Sequence, residues 1–283
     1  MLSWNIISDV AHLFDYSFMV NALAAGTLVA VIAGAIGWYM VLRRQTFAGH
    51  TLSVMAFPGA AGAALSGLPL TLGYYAACVF AAAAMTPAQR RDGHAYTTES
   101  AAIGTVQASG LALGFLFLSL YKGVLGSLES LLFGSFLGIS NGQVLTLVAV
   151  TVIVLAALAV AGRPLLFTSV DPQVAAAHGV PTRVLSGGFL LLLGLAVAAT
   201  SQITGALLVF ALLVTPAATA QTITVRPGAG IVLTVLVALL TTWLGLGIAY
   251  YSPYPVGFWI TTVAFALYVC ARVARAIGRR RRA

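Results

Sequence analysis

One stretch of the sequence places chemically active side chains in apolar surroundings. The stretch 42–59, LRRQTFAGHTLSVMAFPG, contains Arg43, Arg44, His50 and Pro58. An imidazole can bind a metal ion or exchange a proton near neutral pH, or it can bond to a neighbouring backbone at the membrane surface. Because polar groups within a lipid-facing segment are costly, they mark a functional site by default, and a site is expected here first.

One carboxylate and two prolines could contribute to chemistry or to a path through a membrane. Glu99 opens a later apolar run, where its carboxylate could bind a cation or stabilise the N-terminus of a helix. Pro58 and Pro216 interrupt two apolar runs and are expected to kink them, either to line a path or as packing features. No HExxH, GxSxG or Walker A sequence occurs, so neither a hydrolase nor an ATPase is predicted for this chain.

The composition is that of a helical membrane protein. Hydrophobic residues make up 60% of the 283 residues, charged residues make up 7%, and the mean hydropathy is +1.02. A soluble core of this length could not bury so much apolar surface. The apolar runs are continuous rather than alternating, which disfavours barrel strands. The sequence therefore predicts an all-α polytopic membrane helical bundle with about eight or nine transmembrane helices.

The predicted organisation is one transmembrane domain, 18–272, between two short ends. Residues 1–17 are expected to form an interfacial segment without the features of a cleavable signal peptide, and residues 273–283 a basic tail that touches anionic lipid. The piece 126–138 is apolar but too short to cross. A turn is expected at Ser201-Gln202. The predicted spans are 18–42, 51–66, 70–85, 99–122, 144–161, 184–200, a seventh that ends near 224, 230–250 and 256–272.

The basic residues report the orientation of these spans. Of the 14 Lys and Arg residues, Lys122 alone lies in one set of alternating loops, and every arginine lies in the other set. Arginine-rich loops face the cytoplasm, so the sequence predicts a multi-pass protein of the cell membrane with its amino terminus outside and its carboxyl terminus in the cytoplasm. The net charge of +8 is explained in this way, and no nucleic-acid partner is expected.

The segment 163–183, RPLLFTSVDPQVAAAHGVPTR, is the largest loop of the predicted cytoplasmic set. Asp171 is suited to an N-cap, Pro172 to the first helical position and Gly179 to the position just past a helix end. These signals predict a short exposed helix, 172–178, held between two spans. Such a helix can bind a partner or can serve as a simple connector.

Five stretches of the chain together resemble the integral-membrane permeases of the ABC-3 family. That family serves binding-protein-dependent importers of zinc, manganese and related metals. The likeness extends from about residue 18 to the last span. The stretches, in chain order, are LRRQTFAGHTLSVMAFPG, ESAAIGTV, LLFGSFLGIS, FTSVDPQVAAAHGVPTRVL and ATSQITGALLVFALLVTPAATA.

The resemblance implies a permease subunit, without an ATPase site of its own, that translocates a divalent metal ion. It also implies three kinds of partner: a second copy of the chain, a dimer of cytoplasmic ABC ATPases that hydrolyses ATP, and an extracytoplasmic substrate-binding protein. No bound cofactor is expected in this chain. In the family the DP helix couples the permease to the ATPase, so the resemblance assigns that role to Asp171, Pro172, Ala177 and Gly179.

The resemblance is less complete at the metal site. Relatives read Gly-Asp-x-Leu-Ser-His, whereas this chain has His50 at the Asp position and Val54 at the His position. His50 and Glu99, which occupies the family's Glu/Asp-x-x-x-Ile-Gly position, therefore remain as candidate metal ligands. One imidazole cannot complete the coordination of zinc or manganese. Further ligands would have to come from Met55, Met85, Gln107, Gln202 or a second copy of the chain.

The departures at 50 and 54 leave two alternatives open. One is an ABC permease of the same fold that carries a different cargo. The other is a stand-alone secondary transporter or an intramembrane enzyme, which would work in membranes without ATP.

Overall fold

The computed structural model describes residues 17–86, 95–121, 134 and 138–280. All but the last residue of the predicted interfacial segment 1–17, Lys122 and most of the piece 126–138 lie outside these residues. The described part forms an all-helical bundle, as predicted. Its nine helices are α1 (Ser17–Leu42), α2 (Thr46–Ser66), α3 (Leu70–Met85), α4 (Ala95–Leu120), α5 (Asn141–Val170), α6 (Pro172–Ala177), α7 (Thr182–Ile223), α8 (Pro227–Tyr250) and α9 (Val256–Arg280).

Most of these helices can cross a membrane. Six are long and apolar enough to do so, and two shorter apolar helices, Leu70–Met85 and Leu208–Ile223, accompany them. The helix α2 belongs to neither group, because small and weakly polar residues fill it. It is nevertheless largely buried and packs against α3, α4 and α7. Small faces of this kind let helix backbones approach closely.

The helix α5 extends further than the sequence suggested. The predicted span ended at residue 161, but α5 continues through Arg163 and Pro164 to Val170. Arg163 is exposed, whereas the neighbouring Gly162 lies against the hydroxyl of Tyr39 and is buried. The prediction that a polar loop begins at Arg163 was wrong because one polar residue on the outer face does not end a helix whose inner face stays packed.

The break in α7 also differs from the prediction. The helix continues through Ser201 and Gln202, where a turn was expected, and breaks instead at Gly205, with φ 76° and ψ 159°. That backbone conformation is essentially restricted to glycine. The break divides α7 into α7a, Thr182–Ala206, and α7b, Leu208–Ile223. The backbone of Gly134 packs directly against this break.

Contacts near both ends of the helices fix their relative directions. The helix α1 runs parallel to α5, since Asn21 donates to Asn141 where both helices begin and Arg43 donates to Thr168 where both helices end. In the same way α8 is antiparallel to α1, α3 is antiparallel to α2 and to α7a, and α4 is parallel to α2. The contacts are Thr27–Trp243, Trp38–Gly230, Gly59–Gly73, Leu52–Cys78, Gly194–Cys78, Gly187–Thr86, Thr51–Gln107 and Phe57–Gly114.

These directions bring the arginines to one end of the bundle. That end, called the basic end here, contains the connections 42–46, 170–182 and 223–227. The last turns of α9 also lie there, because Ala271, Ala274 and Arg275 border the same cavity as residues 221–225. The described arginine side chains lie at this end or within about two helical turns of it, as the loop pattern predicts. They are Arg43, Arg44, Arg163, Arg183, Arg226, Arg272 and Arg275.

Candidate functional site

The helix α6 begins at a complete N-cap. The carboxylate of Asp171 accepts hydrogen bonds from the backbone N–H groups of Gln173, at 3.0 Å, and Val174, at 2.9 Å. Pro172 occupies the first helical position, where no backbone donor is needed. Both features agree with the sequence prediction. They satisfy the free N–H groups that would otherwise make so short a helix unstable.

The other end of α6 closes in a Schellman motif. Gly179 has φ +77°, and its N–H donates to Ala176 O at 3.0 Å. The N–H of Val180 donates to Ala175 O at 3.1 Å, which completes the paired pattern. The helix ends at Ala177, one residue before the predicted end, and Gly179 lies just past it as predicted. Both ends of α6 are therefore fixed by local hydrogen bonds.

The helix α6 is anchored by one face and open on the other. Ala175 is fully buried, whereas Val174, Ala176 and Ala177 are exposed. His178 is also exposed, and its ring lies 5.9 Å from that of Phe167 at the end of α5. A rigid helix with a free outer face, held between two long helices, can bind a second protein and transmit its movement to α5 and α7a.

His50 lies inside α2, not in the loop before it, because α2 begins at Thr46 and not near residue 51 as predicted. Its ring packs edge-on against Phe210 of α7b, with 4.8 Å between the ring centroids. The Nδ1 atom is buried and has no hydrogen-bond partner in the described part of the chain. A buried ring nitrogen without a partner is unusual. It remains available to a ligand such as a metal ion.

The other proposed ligands do not complete a site around His50. The Gln107 side chain accepts a hydrogen bond from Thr51, and that of Gln202 donates to its own helix. Met55 packs on Gly110, and Met85 is buried in the core. No cluster of three His, Cys, Asp or Glu side chains occurs among the described residues. The described residues of one chain therefore supply His50 as a single open ligand.

Two predicted features remain untested by this geometry. Glu99 is the fifth residue of α4, but its side chain falls outside the described residues. Pro58 and Pro216 are buried inside α2 and α7b, and both helices continue through them. The marked break occurs at Gly205 instead, a position that sequence reasoning missed because glycine is frequent in this chain.

The sequence identifies Arg43 only as a signal of topology, so its contacts with other helices were missed. Its guanidinium binds hydroxyl groups on α5 and on α7a, the two helices that flank α6. These partners lie 125 and 143 positions away in the sequence, so no local pattern could have identified them.

Comparison with known proteins identifies a family that matches this chain. The profile of the ABC 3 transport family matches residues 15–275. The manganese transport system membrane protein MntC of Halalkalibacterium halodurans is 29% identical over 94% of this chain and 91% of its own length. The chelated iron transport system membrane protein YfeC of Yersinia pestis is 29% identical over 91% of this chain and 86% of its own. A chain in the structure of PsaBC from Streptococcus pneumoniae in complex with Fab superposes with a TM-score of 0.82 at 28% identity, covering 94% of this chain and 95% of that chain.

Proposed function

The chain belongs to the ABC 3 transport family, and on that premise we propose that it is the membrane-spanning permease subunit of an ABC importer for a divalent metal ion. The observation that carries the proposal is α6, a short helix capped at both ends and exposed on its outer face. Its place between two long membrane helices suits a coupling element. A cytoplasmic ABC ATPase would bind this face and hydrolyse the ATP.

The residues assigned to coupling have distinct parts in this proposal. Asp171, Pro172 and Gly179 keep α6 folded, since they supply its two caps. Ala177 is exposed in the last turn, where a small side chain allows close approach of a partner surface. Binding and release of ATP would move the ATPases, and α6 would carry that movement into α5 and α7a.

The proposed cargo is manganese. Relatives that match almost the whole chain are named for manganese transport, and one is named for chelated iron. His50 would supply one imidazole ligand, and Glu99 is a candidate oxygen ligand of the kind that Mn²⁺ prefers. A second copy of the chain, related by the symmetry usual for membrane importers of two halves, would provide the remaining ligands.

The proposed orientation places the basic end in the cytoplasm. Seven described arginines lie at or near that end, and cytoplasmic loops are enriched in such residues. The ATPases would then meet α6 from inside the cell, and an extracytoplasmic binding protein would deliver the metal at the opposite end. The mass of the purified complex in detergent tests the proposed pairing of two permeases with two ATPases.

Paired substitutions at Asp171 test the docking assignment. Asp171→Ala removes the N-cap, which costs about 1 kcal/mol, whereas Asp171→Asn keeps a capping oxygen. We expect Asp171→Ala to reduce the amount of ATPase that co-purifies with the tagged permease and Asp171→Asn to retain it. Equal recovery of the ATPase with both variants and the wild type would contradict the docking role of α6.

A further inference from the structure

The turn between α1 and α2 is joined to both helices that flank α6. Arg43 Nη2 donates to Ser186 Oγ at 2.7 Å, in the first turns of α7a. Its Nη1 donates to Thr168 Oγ1 at 3.1 Å and to Ser169 Oγ at 3.4 Å, in the last turn of α5. One guanidinium group therefore connects the segment before α6 with the segment after it.

The position of the guanidinium is closely determined. The Arg43 side chain is half-buried, and its charged group lies over the ring of Phe189 at 5.3 Å from the centroid. Its Nε lies 3.4 Å from the side-chain oxygen of Gln45, which is itself 8% exposed. A planar guanidinium with several fixed donors can satisfy all these directions at once, which a lysine ammonium cannot do.

The same turn sets the start of α2 and hence the position of His50. Gln45 is the residue before α2, and its carbonyl accepts from the N–H of Gly49 at 3.0 Å. Its N–H donates to Met40 O at 2.9 Å, so α1 and α2 are joined through the turn by backbone bonds. A displacement of Arg43 is thus passed to the first turn of α2 without a flexible linker between them.

The neighbouring Arg44 provides a comparison, because its environment differs from that of Arg43. Arg44 is exposed, and it makes no side-chain hydrogen bond among the described residues. Both residues carry the same charge at nearly the same depth. The bound, half-buried state of Arg43 is therefore not required for orienting the helix.

We propose that Arg43 is a positioning residue that transmits the movement of α6 to the start of α2, whose fifth residue is His50. This inference rests on the proposed role of α6 in docking the ATPase. When the ATPase displaces α6, the adjoining ends of α5 and α7a move with it, and the hydrogen bonds of Arg43 draw the α1–α2 turn along. Arg43 contacts no cargo in this scheme, since it acts through the orientation of α2.

The experiment compares Arg43→Gln with Arg44→Gln in the complete complex with its ATPase and binding protein, reconstituted in lipid vesicles. Both variants lose one positive charge at the same end of α1, so they match in topology. Three quantities are measured: recovery of the assembled complex, ATP hydrolysis, and Mn²⁺ transported per ATP hydrolysed. Coupling free energies between sites typically correspond to about 5- to 150-fold effects. We expect Arg43→Gln to keep assembly and hydrolysis but to lower Mn²⁺ per ATP at least about fivefold, and Arg44→Gln to match the wild type.

Two further variants keep the proposal testable if Arg43→Gln fails to assemble. Arg43→Lys keeps the charge without the forked donors, and the double variant Thr168→Val with Ser186→Ala removes the nearest acceptor on each flanking helix while leaving Arg43 in place. Both should lower Mn²⁺ per ATP. The proposal is wrong if Arg43→Gln assembles and transports as much Mn²⁺ per ATP as Arg44→Gln. If Arg43→Gln does not assemble, the proposal is wrong when both other variants transport as much Mn²⁺ per ATP as Arg44→Gln. A wild-type complex that hydrolyses ATP without moving Mn²⁺ would instead overturn the proposed function itself.

Discussion

At the scale of single residues, His50 presents a buried Nδ1 atom without a partner among the described residues. Removing the imidazole should weaken the interaction with the cargo. We expect His50→Ala to raise the KM for ATP-driven Mn²⁺ uptake by at least about tenfold, since even the loss of an outer-shell partner of a metal ligand costs about 10- to 100-fold in affinity. Initial uptake rates over a range of Mn²⁺ concentrations measure this effect.

A matched control lies one helical turn away on the same helix. Val54 is half-buried like His50 and stands where the family resemblance implies a second candidate ligand. Val54→Ala removes side-chain volume but no metal ligand, so the KM should stay near that of the wild type. An unchanged KM in His50→Ala would exclude His50 from the ligands of the metal.

The residues that the sequence identified are those whose partners are local. Asp171 caps N–H groups two and three positions ahead, and the N–H of Gly179 donates to a helix carbonyl three positions back, so propensity alone predicts both. The partners of Arg43 and the ring of Phe210 beside His50 come from distant parts of the chain. Tertiary packing brings them together, and no short motif encodes it.

At the scale of elements, the break in α7 depends on Gly205. Any other residue at φ 76° and ψ 159° is strained, at a cost of about 1–3 kcal/mol. We expect Gly205→Ala to lower the midpoint of thermal unfolding of the purified protein in detergent. The same substitution should also disturb packing against Gly134, whose backbone lies against the break.

Gly188→Ala provides the control within the same helix. Gly188 is exposed in α7a, and a β-carbon there would have no atom within 4 Å. Alanine favours a helix over glycine by up to about 1 kcal/mol, so this variant should be as stable as the wild type or more stable. If Gly205→Ala proves as stable as Gly188→Ala, the break is not held by the glycine conformation.

Helix ends were harder to predict than the helices themselves. Ser201-Gln202 was interpreted as a turn because polar residues interrupt an apolar run. In the structure Gln202 and the neighbouring Thr200 instead bond to carbonyls one turn back in their own helix. A helix can thus absorb short polar side chains without ending. The break at Gly205 carries no comparable signal in a chain with 29 glycines.

At the scale of the whole molecule, composition and charge predicted the architecture well. Long apolar runs specify helices that cross a membrane, and the separation of arginines specifies which helix ends lie together. Neither signal identifies the partners or the cargo of the proposed importer. The site is therefore less predictable than the fold, because its ligands would come from more than one chain.

Transport driven by ATP tests the central claim most directly. The complex of this chain with its ATPase is reconstituted in vesicles, with ATP on the face of the basic end and the binding protein with Mn²⁺ on the other face. We predict that Mn²⁺ crosses toward the ATP side, that ADP in place of ATP stops it, and that ATP on the opposite face does not support it. Equal Mn²⁺ transport without ATP would contradict the assignment of this chain as the permease of an ABC importer.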